Sequence, residues 1–201
     1  MSLIDNWTKI KDLLMFPDDN ILYMFQVIKR RKDNPEMKSG TKVLDCIITA
    51  DWEDEDLHTR LKRRVEIDNA RVYFKLNHIE AHTVALRTMA KIANMIADGQ
   101  YNINRCYESV CSEFRTGEVF WFADIDTKNV NLEALTKHLE IIQADAKRTP
   151  VVKILETPNG YHAVTRSFDP RKFTFPFEIK KNDPTILYAN LATETGEENG
   201  E

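Results

Sequence analysis

Val119-Phe120-Trp121-Phe122-Ala123-Asp124-Ile125-Asp126 is the stretch on which the reading of this chain turns. Its nearly unbroken apolar run predicts a central strand covered on both faces, because a strand with one wet face would alternate. Side chains point to opposite sides along a strand, so Asp124 and Asp126 share one side while Ile125 enters the core. Two carboxylates held that close repel unless one is protonated or a cation joins them. A hard divalent ion bound through one or two carboxylates plus substrate phosphates is the common solution, so Mg²⁺ or Mn²⁺ is the expected cofactor. By residue type alone, Asp124-Ile125-Asp126-Thr127 also suits a polar strand end running into a helix cap. The apolar run favours a site, since strands covered on both faces deliver their carboxyl ends to ligand-binding crevices.

Downstream, the spacing of apolar residues predicts a helix over Leu132 to Ala146, capped by Asn129 or Asn131. Val151 to Leu155 and Tyr161 to Thr165 read as a hairpin around Thr157-Pro158-Asn159-Gly160, where Pro presets φ, Asn tolerates turn geometry and Gly accepts positive φ. His162 opens the second strand, with Val164 and Arg166 on its face. A lone His is often structural, but beside an acidic pair His162 and Arg166 can bind phosphate oxygens that the carboxylates alone would repel. Phe173 to Lys181 alternates as an edge strand interrupted by Pro176. Glu178, opposite its Phe face, is the best candidate for a third carboxylate, with Asp169 and Asp183 as alternatives.

Upstream, a helix is expected over Ile4 to Phe16, strands over Ile21 to Ile28 and Lys42 to Thr49, and a charged helix over Trp52 to Arg64. A strand over Arg71 to Leu76 places Arg71, Lys75 and Asn77 on one face, available to a phosphate backbone. Glu80 to Ala97 is the clearest helix, with an apolar stripe of Val84, Leu86, Met89, Ile92, Ala93 and Ile96. The order of elements predicts an α/β (α+β) protein with a mixed sheet and helices packed on one face.

A chain of 201 residues, 42% hydrophobic and 30% charged, builds one core; residues 1–190 are expected to form a single domain and the acidic 191–201 a disordered tail. The net charge of −4 argues against a uniformly cationic coat and leaves room for local basic clusters at Lys29-Arg30-Arg31-Lys32 and Lys62-Arg63-Arg64. Cys46, Cys106 and Cys111 lack the spacing of zinc or redox motifs and are expected as reduced thiols. No apolar run suits a membrane span and no leader is evident, so a cytoplasmic location is expected. Gly-rich phosphate loops, a dinucleotide-binding glycine pattern and a Gly-x-Ser-x-Gly elbow are all missing, which argues against P-loop, Rossmann and α/β-hydrolase chemistry.

The strand ending in Asp124-Ile125-Asp126, a helix, and then Gly160-Tyr161-His162 together resemble the archaeo-eukaryotic primase superfamily, including phage and plasmid primase-polymerases, over roughly Arg71 to Lys181. The resemblance implies an RRM-like primase-type core. It implies Asp124 and Asp126 as metal ligands, His162 as a contact to the incoming nucleotide with Asn159, Gly160 and Arg166 beside it, and Phe177-Glu178 as the third acidic motif. Nucleoside triphosphates and single-stranded DNA or RNA would be the partners, the nucleic acid lying over Lys29, Arg30, Arg31 and Lys75. Fewer than 40 residues follow His162, and neither a cysteine-rich zinc element nor a helicase accompanies the motifs, as in a minimal or degenerate member. The leading expectation is a metal-dependent nucleotidyltransferase. A non-catalytic nucleotide- or nucleic-acid-binding module and a metal-dependent nuclease or phosphodiesterase are the alternatives.

Overall fold

The computed structural model describes residues 2–14, 18–38, 40–114, 120–146 and 149–191. The elements run β1 (Leu3–Asp5), α1 (Trp7–Lys11), β2 (Ile21–Arg30), β3 (Thr41–Thr49), α2 (Glu55–Asp68), β4 (Arg71–Phe74), β5 (Ile79–Glu80), α3 (Ala81–Ala97) and α4 (Cys106–Glu113). They continue with β6 (Phe120–Ile125), α5 (Leu132–Asp145), β7 (Val152–Glu156), β8 (Tyr161–Arg166), β9 (Glu178–Lys180) and β10 (Thr185–Asn190). The fold is α+β. The expected single mixed sheet is replaced by two sheets, ordered β1-β10-β4-β2-β3 and β7-β8-β6-β9, in which every pair is antiparallel. β5 extends the first sheet along the start of β2. The parallel crossovers that the order of elements suggested are absent because β10 returns between β1 and β4, and β9 returns beside β6.

The helices do not all pack on one face as expected: α2 covers one face of the first sheet, α3 and α4 cover the other through Val84, Val110 and Cys111 beside Met24, and α5 covers the second sheet. On the first, α2 buries Leu57, Leu61 and Val65 in a cluster with Phe25, Val27, Val72 and Phe74. Asp54 caps its first turn by accepting from the Asp56 N–H at 3.0 Å, and Asn69 ends it in the left-handed region at φ 45°. On the second, α5 buries Leu135, Leu139 and Ile142 against Ala123, Ile125 and Ala163. Its cap is Asn131, which accepts from the Ala134 N–H at 3.0 Å. β6 lies between β8 and β9 with both faces engaged, Ile125 toward α5 and Phe122 in the cluster it shares with the first sheet. Complete burial of side chains such as Ile125, Leu135 and Leu139 contributes about 1.5–3 kcal/mol each.

Two buried asparagines join the sheets. The Asn6 amide donates to the Glu156 carbonyl at 2.8 Å and accepts from the Glu156 N–H at 3.0 Å, and it also donates to the Ile186 carbonyl at 3.1 Å. It thereby ties the end of β7 to β10. Asn77 repeats the arrangement, donating to the Phe120 carbonyl at 3.1 Å and accepting from the Phe120 N–H at 2.7 Å, which fixes the first residue of β6 just beyond β4. In both, a primary amide replaces a neighbouring strand's peptide.

The amide of Asn6 also explains why the expected helix over Ile4 to Phe16 is divided. Leu3–Asp5 pairs with β10 and only Trp7–Lys11 is helical, while the end of the expected helix falls on residues 15–17, outside the described residues. The alternating Phe173 to Lys181 segment is strand only at Glu178–Lys180, although Phe173, Phe175 and Phe177 still pack on the α5 cluster. Cys46, Cys106 and Cys111 are free thiols, the last two buried. The expected acidic tail from residue 192 onward lies outside the described residues. No helix among the described residues is long and apolar enough to cross a membrane.

Asn77→Ala would leave the Phe120 N–H and carbonyl without their amide partner, each loss costing about 1–3 kcal/mol. Urea denaturation should show a stability loss of roughly 2–4 kcal/mol, against less than about 0.5 kcal/mol for Asn102→Ala at an exposed position. Equal midpoints for the two variants would refute the clamp.

Candidate functional site

Antiparallel register determines what stands beside Asp124. It is directly opposite His162 on β8 and Glu178 on β9, and directly opposed residues share a face. Leu155, Phe122, Val164 and Lys180 occupy neighbouring positions of that face. His162 is buried, its ring stacked on Phe122 with centroids 4.3 Å apart and planes 21° from parallel. Its Nε2 lies 3.3 Å from Asp124 Oδ1 and its Nδ1 lies 2.7 Å from Thr185 Oγ1. A carboxylate can only accept, so the ring N–H at Nε2 donates to Asp124 while Nδ1 shares a hydrogen bond with the Thr185 hydroxyl. The His162 hydrogen bond holds the Asp124 carboxyl below its ordinary range, aided by the charges of His162, Lys180 and Lys32 and opposed by partial burial.

The cleft above this row is about 270 Å³ and opens to solvent. Sheet two contributes Phe122, Asp124, His162 and Lys180, and sheet one contributes Arg30, Arg71, Tyr73 and Ile186. Lys32, Asp126, Thr157, Asn159 and Asp183 line it from the connections. Arg30 donates to the Tyr73 hydroxyl at 3.2 Å. Arg71 is gripped at both ends by Asp33, at 2.7 and 2.6 Å, so its guanidinium is held in place. Partial burial and the neighbouring Arg71 and Arg30 pull the Lys32 ammonium below its ordinary value. Cationic side chains thus surround a carboxylate pair.

The hairpin turn is set by contact with the Asp-Ile-Asp backbone. A Cβ on Gly160 would overlap the Ile125 carbonyl oxygen and come within 2.8 Å of the Thr127 nitrogen. Positive φ, expected at this glycine, is found at Gly99 instead. Gly160 serves close approach rather than an unusual dihedral, and its N–H donates to Thr157 Oγ1 at 3.0 Å.

Of the expected site residues, Asp124, Asp126, His162, Asn159 and Arg30 line one cleft, with Gly160 packed beneath it. Four others do not. Arg166 is opposite Phe120, at the far end of β8 from His162. Lys75 is 2% exposed and donates to the carbonyls of Cys111, Ser112 and Phe114, closing the end of α4 rather than meeting nucleic acid. Lys29 is paired with Glu36 at 3.2 Å, and Arg31 is exposed in the turn after β2, outside the cleft lining. Glu178 shares the Asp124 face, but its side chain is 70% exposed and bonded to Lys180 at 2.6 Å. Asp169 is tied to Arg171. Asp183 is the carboxylate that lines the cleft with the aspartate pair.

Lys32, Arg71, Tyr73, Lys180, Asp183 and Thr185 complete the arrangement. Pro184 followed by Thr185-Ile186-Leu187-Tyr188 carries the signal of a strand opening, which would have located β10 and Thr185. The position of Lys32 carries no such signal. Asp124 and Asp126 suit one hard divalent ion shared with substrate phosphate oxygens, an arrangement that needs only one or two protein carboxylates. Among the described residues, no group of three or more His, Cys, Asp or Glu side chains is arranged to hold a metal ion.

In His162→Gln the carboxyl of Asp124 should titrate closer to the ordinary carboxylate range. A carboxyl lowered in the folded state adds stability above its unfolded value, and that stability is lost as pH falls through the lowered folded value. The wild-type protein should therefore keep part of its stability to lower pH than the variant. Carbon-detected NMR titration of Asp124 reads the shift directly, and identical midpoints in both proteins would disprove the coupling.

No protein-family model, curated protein or solved structure matches the chain.

Proposed function

We propose that the cleft between the two sheets binds a nucleoside triphosphate and, with a divalent cation, transfers its nucleotidyl group to the 3′-hydroxyl of a single-stranded nucleic acid, in the manner of a minimal primase-like enzyme. The observation that carries this reading is the Asp124–His162 pair beneath a cleft lined by Arg30, Lys32, Arg71 and Lys180. An RRM-like, primase-type core built on β6, α5, β7 and β8 belongs to the same proposal, as does membership of the superfamily that the motifs resemble.

The cationic side chains bind the phosphates, and His162, held between Thr185 and Asp124, orients the Asp124 carboxylate at the edge of the nucleotide site. Asp124 and Asp126 would hold the Mg²⁺ or Mn²⁺, which would supply Lewis-acid stabilisation of charge on the transferring phosphoryl group. The 3′-hydroxyl oxygen bonds to the α-phosphorus, the α–β phosphoanhydride bond breaks, pyrophosphate leaves with the electron pair, and the hydroxyl proton passes to solvent. Arg31, exposed in the turn after β2, would meet the template backbone, which would make binding weaker at high salt.

With Mn²⁺, nucleoside triphosphates and a single-stranded template, the wild-type chain should lengthen labelled strands. Asp124→Ala should lower the rate at least about 10²-fold, the equivalent of a few kcal/mol of lost stabilisation. Shortened strands would instead indicate a nuclease. The engagement of Glu178 by Lys180 favours one other reading, a nucleotide-binding module without turnover. Calorimetric binding of a nucleoside triphosphate with no incorporation under any divalent cation would establish that reading over the enzymatic one.

A further inference from the structure

The apolar stripe of α3 does not go where its sequence suggests. Among α3 residues only Val84 and Thr88 are buried, whereas Leu86, Met89 and Ile96 are 55%, 68% and 50% exposed. Ala85, Ala90, Ala93 and Ala97 are exposed as well. A helix packed on one side and apolar on the other has a second surface to cover. Tyr101, Ile103 and Tyr107, in the segment that follows, are also exposed, so most of the large apolar side chains left in solvent lie between residues 86 and 107. Arg87 and Lys91 are the charged side chains of α3, and neither belongs to this face. Arg87 lies over the Phe114 ring and Lys91 is bonded to Ser109. None of the residues lining the cleft belongs to α3.

Leu86, Met89, Ala93 and Ile96 recur at the spacing of a two-helix seam. Their pattern is symmetric about Lys91. When α3 meets an antiparallel copy of itself across a two-fold axis there, Leu86 faces Ile96, Met89 faces Ala93 and Ala85 faces Ala97. Large thus meets small at the centre, and medium meets medium at the ends. A parallel pair would set Met89 on Met89 and Ala93 on Ala93, one layer crowded and the next hollow. The exposed apolar side chains of this α3 face amount to roughly 500 Å², so a pair would bury about 1,000 Å², the lower bound of a specific interface. The absence of charge on the seam spares two identical chains from like-charge repulsion, and antiparallel packing aligns their helix dipoles favourably.

We infer that α3 is a homodimerisation helix, pairing antiparallel with α3 of a second copy of this chain about a two-fold axis at Lys91.

Sedimentation equilibrium of the purified full chain should show a dimer at micromolar concentration. Met89→Glu should raise the dissociation constant at least roughly a hundredfold, since it buries an unpaired charge at the seam. Far-ultraviolet circular dichroism and the urea midpoint report folding, and Leu86→Glu serves as a second variant should Met89→Glu fail to fold. Orientation is read by oxidising variants that each add one exposed cysteine on α3, with the wild-type chain and its three thiols as the background control. An equimolar mixture of Met89→Cys and Ala93→Cys should cross-link faster than either alone. A wild-type monomer at 100-fold higher concentration, a dimer unaffected by either charged variant, or fastest cross-linking of Met89→Cys to itself would each overturn the inference.

Discussion

Two side-chain amides determine whether there is a cleft at all. The sheets of this protein share no strand, and the apolar cluster between them takes side chains from both, Phe122, Leu155 and Val164 from one and Phe25, Val72 and Phe74 from the other. Apolar burial drives each layer together but is indifferent to small sliding movements. Asn6 and Asn77 are not, because each must present a donor and an acceptor to one particular peptide, Glu156 in one case and Phe120 in the other. A shift that broke either pair would leave buried polar groups unmatched, at about 1–3 kcal/mol for each group. The amides therefore contribute register more than bulk stability, and they do so at the ends of β7 and β6, the strands on either side of β8 and its His162.

From that register the rest of the site follows. Because β6 is clamped at Phe120, Asp124 reaches the floor of the cleft by strand alternation. Because β8 is antiparallel to β6, His162 arrives opposite it. Gly160 then sets how closely the hairpin approaches, with no room for a side chain above the Ile125 carbonyl. Thr185 comes from the other sheet, so the orientation of the imidazole depends on the sheets staying in place. The position of the strand and the orientation of the ring are thus linked by the same few contacts.

How much of this was legible in the sequence follows from the range of each interaction. The β6 strand, the hairpin and α5 were readable because periodicity and turn chemistry are local, and with them came the Asp124–His162 face. The two-sheet architecture was not, because β9 and β10 are short and their partners are distant in the chain. Lys75 and Asn77 look like surface polarity in sequence. Only tertiary structure shows that one closes a helix end and the other mimics a strand. The α3 stripe was read correctly as apolar, but periodicity says that a face will be covered without saying by what.

The charge pattern of the cleft constrains its ligand further than the fold does. Lys32 is disfavoured as a cation by burial and by the proximity of Arg71 and Arg30, a crowding that an anion relieves. Asp124 is favoured as an anion by its His162 contact and by the charges of Lys180 and Lys32, so it stands as a carboxylate in the same cleft as Asp126. A simple phosphate would satisfy the first set and be repelled by the second, and a lone divalent ion would meet the reverse difficulty. A metal-bound polyphosphate carries both signs in one ligand, with its negative oxygens spread over several ångströms. Under the proposed function such a ligand would match both sets of groups at once, which neither a bare phosphate nor a lone divalent ion would do.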